Sequence, residues 1–384
     1  MKQDASNLLT IRNDNRALVL EYIRRRPMSR VELSKETGLS KSAVTMITNE
    51  FVREGLLQET GTAETALGRR PILLDITANH RFAVGAALHR RRLSVSLVDL
   101  KQQRIDAAEA RTADFPSPDA VVDWIAATAE TLMGKNGLKR AACIGAGISS
   151  PGPLDHEAGR ILHPPDFPLF YDYPIVARLR ERLGMPAVLD NNAVLLATTE
   201  YYRDPPVDYR QFLYLVVADG IGSSIVSDGQ IVRGAAGFAG ELGHTSVDVH
   251  GEPCPCGNRG CLEQYATLAA LKRRFGFDRF DMVAADAAAG DPTANEIMNT
   301  LADYLACAIT NAVNFLDLEA VILYGELNVQ PDCLFDRLRE RVQARSVVSR
   351  SHEVAVLASR LGDEDAKTAS AAAILNAYYR RQLS

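Results

Sequence analysis

Between Asn13 and Arg26 the apolar residues Ala17, Leu18, Leu20, Tyr22 and Ile23 recur at helical spacing, and Pro27 closes the run. Ser29-Arg30-Val31-Glu32 then has the form of a capping box, so a short second helix is predicted to Thr37. Gly38 supplies a tight turn, Leu39 returns the chain to the core, and Ser40 caps a third helix running to about Glu54. On that helix Val44, Ile47 and Phe51 form the buried stripe, leaving Lys41, Ser42, Thr45, Thr48 and Asn49 opposite. A strand starts at Gly55–Glu59 and returns at Pro71–Ile76, with the small and polar stretch Thr60 to Leu67 between them, which reads as a β-wing.

A helix-turn-helix followed by a wing points to duplex DNA. Ser40, Lys41, Ser42, Thr45 and Asn49 are polar groups of a kind that reaches base edges or phosphates in a major groove. Arg69 and Arg70, set between Gly68 and Pro71 on the far side of the wing, suit a narrow, electronegative minor groove. A lone helical hairpin would present the same face to solvent; the strands and paired arginines that follow favour groove reading.

After Ala78 the pattern changes. Phe82–Leu88, Leu93–Leu100 and Ala142–Ile148 read as strands and Pro118–Met133 as an amphipathic helix; strands and helices then alternate up to a closing helix over Ala366–Leu383. Such alternation argues for α/β lobes with mixed sheets. A chain of 384 residues is also too long for one ordinary core, which stops growing near roughly 250 to 300 residues.

Composition narrows the class. With 47% hydrophobic and 24% charged residues the chain reads as an ordinary globular protein. Its longest apolar runs, such as Phe212–Ala218, are strand-sized, so no membrane span is expected. The polar start, Met1 to Asn7, lacks the apolar core of a secretory signal, and the expected location is the cytoplasm. The net charge of -5 argues against a general polyanion binder, yet residues 1–75 hold 12 Lys and Arg against 10 Asp and Glu. The mildly basic head on an acidic body fits a localised nucleic-acid contact.

Of six cysteines, Cys254, Cys256 and Cys261 crowd together, with nine residues between His244 and the first of them. Three thiolates and one imidazole meet the tetrahedral demand of a structural Zn²⁺, with Gly257 and Gly260 allowing tight folding around it. Four protein ligands leave no place for a reactive water, so the metal is expected to be structural.

These residues carry a resemblance. Glu241-Leu242-Gly243-His244 followed by the run from Cys254 to Glu263 resembles the signature of the ROK family, repressors and sugar kinases sharing a two-lobed, actin-like (ribonuclease H-like) fold. The similarity extends over nearly the whole chain and is to the repressors of xylose or N-acetylglucosamine type. It implies a winged helix-turn-helix over 1–78, a first lobe over 79–193 with the closing helix 366–384, and a second lobe over 194–365 with the zinc loop. It assigns zinc to His244, Cys254, Cys256 and Cys261, and sugar to Asn191, Asn192, Glu241, His244 and Glu263; carboxylates and imidazoles accept hydrogen bonds from sugar hydroxyls. Ser149–Asp155 resembles the family's loop at the sugar-binding cleft.

Three departures from the family's kinases argue against catalysis. Val188-Leu189-Asp190-Asn191-Asn192-Ala193 places Asn192 where the kinases carry the Asp that takes the proton from the attacking hydroxyl, and an amide has no lone pair basic enough for that. Ala83–His89 lacks the carboxylate and second glycine of the kinases' Asp-x-Gly-Gly-Thr phosphate turn. Tyr324-Gly325-Glu326 holds one glycine where kinases usually stack several beside adenosine, while Asp219–Ser224 keeps part of the second phosphate loop.

The expectation is a non-catalytic repressor whose sugar closes a cleft between lobes and releases operator DNA. It would act as a homodimer or dimer of dimers on paired half-sites. The alternative is an ATP-dependent sugar kinase with an appended DNA-binding domain; a protein partner docked in place of the sugar is a third reading, disfavoured by the retained sugar-contact residues. The identity of the sugar is not legible.

Overall fold

Ser29 accepts from the Glu32 amide and the Glu32 carboxylate accepts from the Ser29 amide, so the capping box is complete at the head's second helix. The computed structural model describes residues 2–62, 71–165, 167–203, 207–329 and 333–381. The head comprises α1 (Lys2–Arg25), β1 (Met28–Ser29), α2 (Arg30–Thr37), α3 (Lys41–Arg53), β2 (Leu57–Thr62) and β3 (Ile72–Ile76). Helix α1 begins at Lys2, well before Asn13. Gly38 ends α2 in the left-handed region and Ser40 caps α3 through the Ala43 amide. A third strand joins the wing, in the order β1-β3-β2. The wing tip, including Arg69 and Arg70, lies outside the described residues.

One expectation about α3 is corrected. Val44, Ile47 and Phe51 are buried as expected, but Thr48 is 0% exposed and belongs to the inner face. It follows Ile47 on the helix, where the stripe is wide enough to take a residue that can be satisfied: Thr48 Oγ1 donates to the Thr45 carbonyl and accepts from Arg30 Nε at 3.0 Å.

From Ala78–His80 the chain passes into a five-stranded sheet of order β10-β7-β4-β5-β6, built from β4 (Phe82–Leu88), β5 (Arg92–Asp99), β6 (Arg104–Arg111), β7 (Cys143–Ser150) and β10 (Ala187–Asn191). Its elements α4 (Pro118–Lys135), the hairpin β8 (Leu154–Asp155) and β9 (Arg160–Ile161), and α5 (Ile175–Leu183) fall between those strands. The inner strands β4 and β7 are buried almost throughout, as helix-covered strands must be, while edge strand β6 is half exposed. Helix α6 (Asn192–Tyr202) follows β10 directly.

The chain divides into two units, residues 1–207 with 362–384 and residues 208–361. The expected boundary was 193/194, at the start of α6. That helix stays with the first unit because Ala193 to Tyr201 are buried along its length, packed beside the strand it leaves.

The second unit has a sheet of order β13-β12-β11-β14-β15: β11 (Phe212–Val217), β12 (Ile221–Ser227), β13 (Gln230–Val232), β14 (Ala320–Gly325) and β15 (Ala355–Ala358). Helices α7 (Glu263–Ala266), α8 (Leu268–Phe275), α9 (Phe280–Ala288), α10 (Pro292–Leu316) and α11 (Cys333–Arg345) accompany it. The long α10 supplies Met298, Leu301, Leu305 and Ile309, spaced three to four residues apart, to a core shared with Leu215, Leu323 and Leu338.

The chain then returns to the first unit as α12 (Asp363–Ala369) and α13 (Ala372–Arg381). One closing helix was expected; two are found, broken at Ser370-Ala371. The cause is close approach to the sheet: a Cβ on Gly147 would sit 2.1 Å from the Ser370 carbonyl oxygen, so the backbone between the helices rests on a bare glycine of β7. Ile374, Leu375 and Tyr379 of α13 then share one core with Val19, Leu20, Ile23, Leu33, Val44 and Phe51 of the head. No helix among the described residues is long and apolar enough to cross a membrane.

Candidate functional sites

On α3, Lys41, Ser42, Thr45 and Asn49 are exposed, with Ser40 exposed at its cap, so five residues predicted to contact DNA lie on one helix. Much of their hydrogen-bonding capacity is already used. Thr45 Oγ1 donates to the Lys41 carbonyl at 2.7 Å, the Ser40 and Ser42 hydroxyls lie 3.0 Å apart, and Asn49 Oδ1 accepts from Arg30 at 3.0 Å. Glu50 is held inward by Arg12 at 2.7 Å and Arg16 at 2.6 Å, which keeps its negative charge compensated beside this face. The Arg12 hydrogen bond is the largest influence holding the Glu50 carboxyl below its ordinary value.

On the second unit, His244, Cys254, Cys256 and Cys261 come together with their ligand atoms all within 4.8 Å of one another, a set that could hold a metal ion. Cys254 Sγ lies 3.7 Å from His244 Nδ1, and Cys256 Sγ 3.7 Å from Cys261 Sγ, far longer than a disulfide. The loop is built by its own backbone: Cys254 N donates to Asn258 O, Gly260 N to Glu252 O, and Asn258 Nδ2 to the His244 carbonyl. At Gly260 φ is +69° and a Cβ would meet the Asp248 carbonyl oxygen at 1.7 Å, so no other residue fits that turn. Burial, and then the neighbouring Cys254 and Cys256 thiols, push the Cys261 thiol up to about 12. Ionising all three sulfurs in this space would call for a cation among them.

The remaining site residues fall on both units. On the second, Glu241 opens the turn Leu242–His244. Desolvation raises its carboxyl above the ordinary value; His244 opposes that shift and Glu263 adds to it. Glu263 Oε2 accepts from the Ile221 amide at 2.9 Å, which secures the turn between β11 and β12. With His244 Nδ1 facing the sulfurs, the ring's second nitrogen is left for another partner.

On the first unit, Asn191 caps α6, its Oδ1 accepting from Ala193 N at 2.9 Å. Its Nδ2 lies against Gly152 of the Ser149–Asp155 loop. The register Asn191↔Ser150 between β10 and β7 sets the two side by side. Next to it, Asn192 Oδ1 is buried with no hydrogen-bond partner among the described residues. A buried, unpaired amide oxygen is costly and suits an incoming hydroxyl donor.

Sequence reasoning passed over three features. Met46 is 52% exposed in the middle of the polar face of α3, where an apolar residue among polar ones carries no motif to single it out. Arg30, read only as part of a capping box, organises Thr48 and Asn49. Glu21 and Arg24 of α1 engage Tyr202 of α6, a long-range pairing that no local pattern signals.

A winged helix-turn-helix on an α/β body of two units, one bearing a cluster of one histidine and three cysteines, defines a class in which a DNA-reading head is joined to a sugar-kinase-like body. The chain belongs to the ROK family, whose model matches residues 89–377. It is 26% identical over 364 residues to the xylose repressor of Bacillus subtilis, covering 94% of both chains. It is 25% identical over 362 residues to the transcriptional dual regulator NagC of Escherichia coli, covering 88% of this chain and 87% of that one. Among solved structures, a ROK family transcriptional regulator described as a homolog of the Escherichia coli Mlc protein aligns with a TM-score of 0.79 at 25% identity, covering 97% of this chain and 98% of the other. The ROK hexokinase of Thermus thermophilus aligns at 0.66 and 28% identity over 77% of this chain and 99% of its own. The two-lobed, actin-like body is therefore common to regulators and kinases, and the α/β fold class with its N-terminal helix-turn-helix is as expected.

Proposed function

We propose that this protein is a sugar-responsive transcription repressor that binds operator DNA through its head and loses affinity for it when a sugar binds the body. The carrying observation is the full-length match, head included, to regulators of the family, where the hexokinase covers only 77% of the chain. The exposed polar face of α3 supports groove reading, with Arg69 and Arg70 assigned to the minor groove.

Sugar contacts are assigned to Glu241, His244 and Glu263 on the second unit and to Asn191 and Asn192 on the first. The unpaired Oδ1 of Asn192 supports its place in that set. An amide in the position of the kinases' base can hold a hydroxyl without ionising it, and with no carboxylate in the Ala83–His89 stretch for a phosphate-bound Mg²⁺, recognition stands without phosphoryl transfer.

The metal is assigned as structural zinc. Tetrahedral sulfur ligands at about 2.3 Å from Zn²⁺ lie about 3.8 Å apart, and the 3.7 Å between the Cys256 and Cys261 sulfurs matches one edge of such a polyhedron. Bound zinc would offset two of the three thiolate charges and fix the loop that carries His244 and leads into Glu263. A homodimer, or a dimer of dimers, in the cytoplasm is the assigned working state, two heads matching two half-sites.

The test is a gel-shift on the protein's own upstream DNA with a panel of hexoses, pentoses and amino sugars. One sugar should weaken binding by roughly 5- to 150-fold. Binding indifferent to every sugar removes the sensor reading. A coupled ADP-release assay showing turnover at ordinary kinase rates would replace it with the kinase reading.

A further inference from the structure

We propose that Met46 reads the 5-methyl group of a thymine in the major groove, which makes it a specificity-determining residue of the head; the inference rests on the DNA-reading role proposed above. Met46 lies on α3 one residue past Thr45 and four past Ser42, and is 52% exposed between them and Asn49. Its polar neighbours are less available than their residue types suggest. The Thr45 hydroxyl is spent on the Lys41 carbonyl, Ser40 Oγ accepts from the Ala43 amide and shares a hydrogen bond with Ser42, and Asn49 Oδ1 is taken by Arg30. Arg30 in turn is fixed by Thr48 Oγ1 and paired with Glu59. Asn49 can make the two-bond pairing to adenine only by releasing that guanidinium.

Beside the Lys41 ammonium, what this face offers without rearrangement is a flexible, half-exposed thioether set between Ser42, Thr45 and Asn49. Among the four bases, the major-groove edge presents one apolar group, the C5 methyl of thymine. A methionine there gains by covering a methyl and gains nothing from the amine edge of cytosine. The predicted readout is thymine recognised by its methyl rather than by its carbonyl.

The experiment uses the full-length protein. Duplexes are selected from a randomised pool, and each thymine of the selected site is replaced in turn by deoxyuridine, which differs only in lacking the methyl. Wild-type protein should lose about fourfold in affinity at one position per half-site, the scale of one buried methyl group. Met46→Ala should bind the thymine site more weakly and no longer distinguish thymine from uracil there, while Met46→Leu should keep the distinction. Placing 5-methylcytosine rather than cytosine at that position should recover part of the loss for wild type and not for Met46→Ala. Uracil tolerated everywhere, or a uracil penalty that survives in Met46→Ala, overturns the proposal while leaving DNA binding intact. A selection that enriches no sequence, with no duplex bound, overturns the DNA-reading role itself.

Discussion

At the scale of single residues, the metal cluster makes the firmest prediction. Cys261 is buried, and its sulfur also approaches the His244 carbonyl at 3.3 Å, so it ties the end of the loop to the backbone that carries the imidazole. Cys261→Ala should remove bound zinc, falling from about one ion per chain to background by elemental analysis, because three ligands no longer close the tetrahedron. The melting temperature should fall by several degrees, since metal that binds only the folded state stabilises it by mass action. Unchanged zinc content would remove the assignment. The cluster was fully legible in the sequence because its ligands are near neighbours and their chemistry does not depend on which way a helix turns. Thr48 was misplaced for the opposite reason. Its side depends on the width of a buried stripe, and Arg30, from another helix, supplied the partner that let a hydroxyl go inside.

At the scale of elements, the head's helices are held by devices of known strength. Ser29→Ala deletes the side-chain half of the capping box at α2 and should cost about 1 kcal/mol, read as a shift in denaturation midpoint. Glu50 links α3 to α1 through Arg12 and Arg16, and its carboxyl is held below the ordinary 4.5, first by the Arg12 hydrogen bond. A depressed carboxylate stabilises the fold above its unfolded value and loses that contribution as pH falls through its folded value. The melting-temperature gap between wild type and Glu50→Gln should therefore be present at pH 7 and shrink as pH drops below about 4.5. A gap that is constant with pH would mean that packing, not charge, accounts for it. Caps and turn glycines are local signals, which is why Ser29, Gly38 and Ser40 could be placed from sequence. The added strand β1 and the break at Ser370 could not be, because each is decided by a partner distant along the chain.

At the scale of the molecule, the question is how the head is joined to what lies behind it, and the first unit answers with α6. Its first residues are Asn192 and the cap Asn191, assigned to sugar; its last is Tyr202. The Tyr202 hydroxyl bonds both carboxylate oxygens of Glu21 on α1, at 2.9 and 2.7 Å. Arg24 lies over the Tyr202 ring at 3.8 Å and over the Tyr379 ring of α13 at 4.1 Å, and its guanidinium also bonds Asn376. Burial raises the Tyr202 phenol well above its ordinary value, so it remains an O–H donor to Glu21 at any working pH. A buried helix with the proposed effector contacts at one end and the head's first helix at the other can carry a shift between them, provided each ligand favours a different state. Tyr202→Phe removes the hydroxyl but keeps the ring under Arg24, so packing is retained while the charge-assisted bond, worth about 1.5 to 3 kcal/mol, is lost. The expected outcome is a variant that binds operator and sugar separately with near-normal affinity, while the ratio of operator affinities without and with sugar falls at least about threefold, a coupling loss of about 0.7 kcal/mol. Titrations of operator with and without sugar, and of sugar with and without operator, measure the same coupling by reciprocity and must agree. An undiminished ratio in Tyr202→Phe would show that the signal reaches the head by another route, through α13 or the continuous apolar core, rather than through the Glu21 contact.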